Sequence, residues 1–237
     1  MFTKFRIAVV GAALALGVSI GGPAANAAFV TTQEAGMDAI FSQAGFGNTP
    51  IDIRFGTVQT VFRPDLLDIT ADSQIDDLFD LFDGSPTVNF YYVDTVDACG
   101  VVNVNFVGCG SFPGNDFVVE SDFAAGAFGA ELLAHELGHN LGLDHRNDPN
   151  GLMDPFINGG TLLLASEILT ILGNEQLPGS NLVQSDQNGL FININPVLIS
   201  SVNNVPLPAP VLMLLGALSI LGGVGLRRRR LAGSESV

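Results

Sequence analysis

The 237-residue sequence contains three histidines, and all three fall within one stretch of eleven residues. His135 and His139 are four residues apart, so on an α-helix their imidazoles project from the same face, one turn apart. Gly142 follows three residues later and can adopt the left-handed conformation that ends a helix, which lets the chain bring His145 back to the same point. Three nitrogen ligands with one open position are typical of a catalytic zinc site rather than a closed structural one.

Glu136 lies beside the first histidine and is the candidate general base, which would take a proton from a zinc-bound water. A bare HExxH pattern is weak evidence, because short motifs recur by chance and a helix with two surface histidines is the simpler interpretation. Here the glycine and the third histidine are also in register, and histidine is absent elsewhere in the sequence. The sequence therefore favours a metal site.

The HExxHxxGxxH pattern at 135–145 resembles the signature of the metzincin zinc peptidases, which also carry a methionine in a turn below the metal. Met153 stands eight residues after His145, with Pro149 and Pro155 on either side, and this spacing is similar to the matrixin branch. The alternative is that Met153 fills the core, as most methionines do. Some metzincins have a tyrosine two residues past this methionine. Proline occupies that position here, so no tyrosine assists from it.

The resemblance implies a zinc-dependent endopeptidase that acts on protein or peptide substrates. It assigns Pro155, Phe156 and Ile157 to the pocket that receives the side chain after the scissile bond. It also implies that a strand at 115–120 edges the cleft and pairs with extended substrate, with an ordinary sheet strand as the alternative. A different class of protein would be a catalytically silent surface or matrix protein that binds metal or partners. The intact Glu136 argues against that alternative.

Periodicity predicts an α+β fold in which a short sheet, mixed or mostly antiparallel, carries two long helices, the second with the histidines. Apolar residues at helical spacing predict helices at 31–43, 127–141 and 161–172, and a further helix that is capped by Thr70 or Asp72 and runs to Phe82. Alternating or β-branched runs predict strands at 51–55, 87–93, 101–107 and 191–199, the last broken by Pro196. Glu131, one turn before His135, is interpreted as a solvated surface acid. This order matches the metzincin arrangement.

The first 28 residues have the features of a secretory signal peptide. Lys4 and Arg6 give a basic start, an apolar run follows at 7–20, and the small residues at 25–27 form a cleavage site. A membrane anchor is the alternative, but the apolar run is short and ends in Gly-Gly-Pro. We therefore expect an exported protein.

Residues 205–237 combine a VPLPA motif, the apolar run 211–226 and four arginines at 227–230. This order resembles the PEP-CTERM class of bacterial sorting signals, which implies processing by an exosortase-type membrane enzyme and a final location at the cell surface or outside the cell. Before processing, the apolar run would hold the chain in the membrane, with the arginines on the cytoplasmic side. A plain single-span anchor is the alternative.

The segment between these ends, 29–204, is predicted to be the metallopeptidase domain. It holds three basic residues, none of them lysine, and 23 acidic ones, which leaves a formal charge of −20. Such a charge argues against nucleic acid or an anionic membrane surface as a partner. It suits solubility in a salty medium or calcium binding, and the charge does not choose between the two.

Cys99 and Cys109 are the two cysteines of the sequence. In an exported chain they suggest one disulfide, which would close a short loop. By loop entropy such a bridge adds about 2–3 kcal/mol to the free energy of unfolding. Neither cysteine lies in an N-terminal prosegment, where many matrixins keep a cysteine that caps the zinc.

The change in composition at Val205 predicts that the tail is not part of the folded enzyme. Truncation after Asn204 should leave a soluble, active protein that membranes no longer retain. Membrane fractionation together with zinc and activity assays would measure this. Loss of zinc or of activity on truncation would mean that the tail packs on the domain.

Overall fold

The computed structural model describes residues 28–82, 86–103, 105–173 and 181–202. Within this part the fold is α+β with a mixed sheet, which confirms the predicted class. The predicted signal peptide, except Ala28, and the predicted sorting segment at 205–237 lie outside the described residues. Within the described ranges, none of the helices combines the length and the apolar character needed to cross a membrane.

The described part of the chain contains five α-helices, two short 3-10 helices (Ala44–Phe46 and Pro64–Leu66) and nine strands. The helices are α1 (Glu34–Phe41), α2 (Asp72–Phe79), α3 (Ser121–Ala124), α4 (Gly129–Asn140) and α5 (Ala165–Leu172). The strands are β1 (Ile51–Phe55), β2 (Gln59–Phe62), β3 (Asp68–Ile69), β4 (Thr87–Val93), β5 (Thr95–Val96), β6 (Gly108–Gly110), β7 (Asp116–Glu120), β8 (Gln184–Asp186) and β9 (Gly189–Ser200). The helix α1 has 8 residues, and α4, the predicted long helix with the histidines, has 12.

The main sheet has the strand order β1-β9-β4-β7-β6, and β2 and β8 also pair with β9. The strands β1, β9, β4 and β7 run parallel, whereas β6 is antiparallel to β7. Because β7 lies between β4 and β6, the strand predicted at 115–120 does not form the edge, and the alternative of an ordinary sheet strand is confirmed. That edge is β6, a strand of three residues with too little length to give a sequence signal.

Hydrophobic cores lie on both faces of the sheet. Phe90 and Tyr92 of β4 point into the core beneath α1 and α4, while Tyr91 and Val93 point into the core beneath α2. Six of the seven β4 residues are buried, as expected for a central strand that is covered on both faces. The core under α4 also contains Leu133, so burial of apolar surface fixes the rotation of α4 against the sheet.

The prediction that Pro196 breaks the last strand was wrong, since β9 is continuous from Gly189 to Ser200. The strands β1 and β2 pair one after the other with the same side of β9. The gap between β1 and β2 lies opposite Pro196, so β9 can continue through the proline. Phe55 pairs with Ile194 and Gln59 pairs with Val197, so no ladder partner from β1 or β2 stands opposite the proline. Proline has no N–H to donate, and this gap in the ladder tolerates it.

The predicted strand at 101–107 was also wrong. The described residues of this segment contain one isolated bridge, in which Val102 pairs with Ala98. The Asn103 N–H donates to the Asp97 carbonyl at 2.8 Å, so the chain folds back on itself instead of joining the sheet. The β-branched residues of this segment favour an extended chain, but a strand also needs a neighbour to pair with. The sequence pattern does not show whether such a neighbour exists.

Packing of α4 predicts a large difference between two leucine truncations. Leu133→Ala removes a fully buried side chain and should lower the free energy of unfolding by about 2–5 kcal/mol. Leu169→Ala on α5 removes a side chain that is 70% exposed and should change stability by about 0.5 kcal/mol or less. Chemical denaturation of both variants measures the difference, and equal losses would contradict the assigned core.

Candidate metal centre and cleft

The helix α4 carries His135 and His139 and ends in a turn that redirects the chain. Gly142 has a φ of +87°, the left-handed conformation that glycine adopts without steric cost. The N–H of Gly142 donates to the His139 carbonyl, and the N–H of Leu143 donates to the Gly138 carbonyl, both at 2.9 Å. These two bonds form a Schellman motif, which satisfies the last carbonyls of the helix and aims the chain back towards its histidines.

The three imidazoles meet at one point. The Nε2 atom of His145 lies 3.2 Å from that of His135 and 3.1 Å from that of His139. Ligand atoms 2.0–2.1 Å from a tetrahedral zinc ion are separated by about 3.3 Å. The donor set and its spacing therefore fit zinc, and the three residues form the metal-ligand cluster found among the described residues.

Hydrogen bonds set the tautomers of two of these histidines. The Nδ1 of His135 lies 2.7 Å from the Leu152 carbonyl, and the Nδ1 of His139 lies 2.9 Å from the Leu143 carbonyl. A carbonyl oxygen only accepts hydrogen bonds, so each Nδ1 carries the proton and donates it. The lone pair of each ring is thereby on Nε2, the atom that faces the common point, and the ring is held in its ligating orientation.

Burial shapes the protonation of the site. Burial lowers the pKa of His135 to about 4, aided by the neighbouring His139, and burial also lowers the pKa of His139. Both rings are therefore neutral near pH 7 and have a lone pair to give. Burial raises the pKa of Glu136 to about 8, and a cation bound at the histidines would favour its charged form.

Two glycines of the edge strand make room for Glu136. A Cβ atom at Gly108 would lie 2.5 Å from the Glu136 Oε1, and one at Gly110 would lie 3.1 Å from its Oε2. Side chains at these positions would displace the carboxylate. Cys109, between the glycines, points to the opposite face of the strand and forms a disulfide with Cys99 that ties the edge strand to the preceding loop.

Met153 is fully buried beneath the metal site. A Cβ atom at Gly138 would lie 2.6 Å from the Met153 sulfur, so the glycine between the two helical histidines lets this side chain pack directly against α4. The Met153 carbonyl accepts the N–H of Arg146 at 2.7 Å. The methionine turn is thus held to both the helix and the segment after His145.

Arg146 fixes the lower loop, a role that the sequence analysis did not assign. Its guanidinium forms an ion pair with Asp148, donates from Nε to Glu167 of α5 at 2.9 Å, and donates to the Leu162 carbonyl at 3.1 Å. The Arg146 guanidinium therefore holds several parts of the chain between His145 and α5 together. A signal was present, since Arg146 is one of three basic residues in the segment 29–204 and directly follows the third histidine.

A cleft of about 530 Å³ opens over the histidines. Its walls include Gly108, Cys109 and Gly110 of β6, and also Pro155, Phe156 and Ile157, the residues that the resemblance assigned to the substrate pocket. We call residues 155–157 the lower wall. Leu132 and Phe123 line the cleft as well and make its interior largely apolar.

Asn140, the last residue of α4, ties the helix to the loop between β6 and β7. Its Nδ2 donates to the Ser111 carbonyl and the Asp116 carbonyl at 3.0 and 2.9 Å, and lies 3.1 Å from the Ser111 hydroxyl. Its Oδ1 is buried with no hydrogen-bond partner among the described residues. Turning the amide over would face Oδ1 towards two carbonyl oxygens, so the present orientation is the favourable one.

Glu131 is not the solvated acid that the sequence predicted. It is 3% exposed, and its carboxylate accepts the N–H groups of Asn158, Gly159 and Gly160 at 3.0, 2.6 and 3.0 Å. These donors satisfy the buried charge, which explains how an acidic residue can occupy this position. No pattern of residues indicates this burial, because the donors are backbone groups 27 to 29 residues further along the chain.

Residues 113–165 match the sequence model of the Matrixin family. The matched segment contains α4, the three histidines, Glu136 and Met153. No curated protein matches the chain. The family match and the three-histidine cluster together support a matrixin-like zinc metallopeptidase.

The site geometry predicts one zinc ion per chain, which elemental analysis of the purified segment 29–204 would measure. His139→Ala should lose both the metal and the activity, because two histidines make a poor zinc site. Leu169→Ala, an exposed change on α5, serves as the control and should keep one zinc. Two zinc ions per chain, or none after refolding with zinc, would contradict the ligand assignment.

Proposed function

We propose that this protein is an exported, zinc-dependent endopeptidase that hydrolyses peptide bonds of protein substrates. The observation that carries the proposal is the convergence of three histidine Nε2 atoms beside the Glu136 carboxylate in an open cleft. His135, His139 and His145 would hold the metal. Zinc in such a site acidifies a water at its open position and polarises the scissile carbonyl.

Glu136 serves as the general base. It takes a proton from the attacking water and passes it to the amine that leaves. Its buried position supports this role, because burial raises its pKa towards neutrality, where a carboxylate can both accept and return a proton. Gly108 and Gly110 leave the space that the carboxylate needs.

The substrate is proposed to lie along β6. An edge strand has unpaired backbone N–H and C=O groups on its outer side, and an extended peptide can pair with them. The side chain after the scissile bond would then enter the apolar space beside Pro155, Phe156 and Ile157. This assignment follows the family resemblance and is supported by the shared cleft.

Export and sorting are proposed from the sequence. The segment 1–28 would be a signal peptide, 29–204 the peptidase domain, and 205–237 a sorting signal recognised by an exosortase-type enzyme. The Cys99–Cys109 disulfide is in keeping with an oxidising compartment outside the cytoplasm. The charge of −20 argues against a nucleic-acid partner. Calcium binding is a prediction that rests on the same charge.

The exchange Glu136→Gln tests the mechanism most directly. It keeps the size of the side chain and removes the base, so zinc content and melting temperature should barely change. Cleavage of casein should fall about a hundredfold or more, the scale of a lost general base. The wild-type protein with a chelator should be inactive in the same assay.

Two other outcomes would count against the proposal. A Glu136→Gln variant that holds zinc and keeps most of its activity would mean that Glu136 is not the base. A wild-type protein that binds one zinc and cleaves no protein or peptide would favour the catalytically silent alternative.

A further inference from the structure

Glu131 is a buried carboxylate that the proposed mechanism does not use. It lies on α4 one turn before His135, and its two oxygens accept three consecutive backbone N–H groups, those of residues 158–160. Such charge-assisted bonds are shorter and stronger than bonds between neutral groups. The Glu131 side chain thus holds the loop at 158–160 to α4, the helix that carries His135 and His139.

The fastened loop directly continues the lower wall of the cleft. Asn158, the first residue held by Glu131, follows Ile157, the last residue of that wall. From the other side the loop is confined by the turn at 149–151, since a Cβ atom at Gly160 would lie 2.7 Å from the Gly151 carbonyl oxygen. Gly159 has a φ of +102°, so a glycine is required for its N–H to reach the carboxylate.

We propose that Glu131 is a positioning residue that sets the distance between the lower wall and the metal site, and thereby the selectivity for the substrate side chain after the scissile bond. This inference rests on the proposed peptidase function. Glu131 has no contact with the reacting groups, and it acts through the backbone of residues 158–160. The apolar lining of the cleft indicates that the selected side chain is apolar.

The Glu131 carboxylate is the acceptor that all three donors of the loop share, and the Gly160 N–H also donates to the Asn158 Oδ1 at 3.1 Å. If the carboxylate is removed, the Asn158 and Gly159 N–H groups lose this acceptor, and the Gly160 N–H keeps only its bond within the loop. The three bonds from the loop to α4 are then gone, and the loop can move away from the helix. That movement displaces Ile157 while leaving the histidines on α4 in place. The expected loss is therefore in discrimination between substrates rather than in the chemical step.

Two substitutions and a matched control separate these effects. Glu131→Ala removes all three bonds. Glu131→Gln keeps an oxygen that can hold two of them, because Oε1 accepts from both Asn158 and Gly160. Asp38→Asn is the control, since the Asp38 carboxylate also accepts a backbone N–H, that of Ile53, at a site that does not line the cleft.

The assay compares kcat/KM for two peptides that differ only in the residue after the scissile bond, leucine in one and alanine in the other. Wild type should prefer leucine. The ratio should fall about tenfold in Glu131→Ala and about threefold in Glu131→Gln, a range that differences in an apolar pocket can produce. Asp38→Asn should leave the ratio unchanged, and all variants should keep one zinc per chain.

An equal fall in kcat/KM for both peptides, or an unchanged ratio in a folded, zinc-loaded variant, would overturn the positioning role. If Glu131→Ala does not fold, the Glu131→Gln ratio decides. If wild type cleaves neither peptide, the peptidase function fails separately. Hydrogen exchange at residues 158–160 then tests the contact itself: exchange should be faster in both Glu131 variants than in Asp38→Asn, and equal rates would refute the anchor.

Discussion

The reversal of the chain at Gly142 is the constraint on which the site depends. A helix can place two imidazoles on one face, but it cannot supply a third at the same point without leaving the helical path. The Schellman motif makes this exit within two residues and returns His145 to within 3.2 Å of both other ligands. The rest of the lower half, from the Arg146 clamp to the buried Met153, is packed around this returning segment.

Each wall of the cleft is attached separately to the helix α4. Asn140 at the helix end bonds to Ser111 and Asp116, which hold the loop that follows the edge strand. Glu131 at the helix start bonds to the loop that follows the lower wall. The helix therefore carries His135, Glu136 and His139 in its middle and is bonded to both cleft walls near its two ends.

Small residues matter as much as the polar ones in this arrangement. Gly138 lets Met153 pass beneath the helical histidines, while Gly108 and Gly110 admit the Glu136 carboxylate on the other side. In each case a Cβ atom would press on the side chain of Met153 or of Glu136. Glycine is therefore needed at 108, 110 and 138 because a side chain would not fit there. This requirement differs from a need for a flexible backbone.

The sequence by itself determined the α+β class, the helix with its two histidines and the residues that could bind zinc, because helical spacing and turn chemistry are local properties. The tertiary structure decided which strand forms the cleft edge, how β9 accommodates Pro196, and that Glu131 is buried. Those features depend on partners far away in the chain: the interruption between β1 and β2, the short strand β6, and three backbone N–H groups at 158–160. Every residue except proline has a backbone N–H, so a sequence does not show which of these groups will meet a carboxylate. The burial of Glu131 among three of them is therefore decided by the tertiary structure.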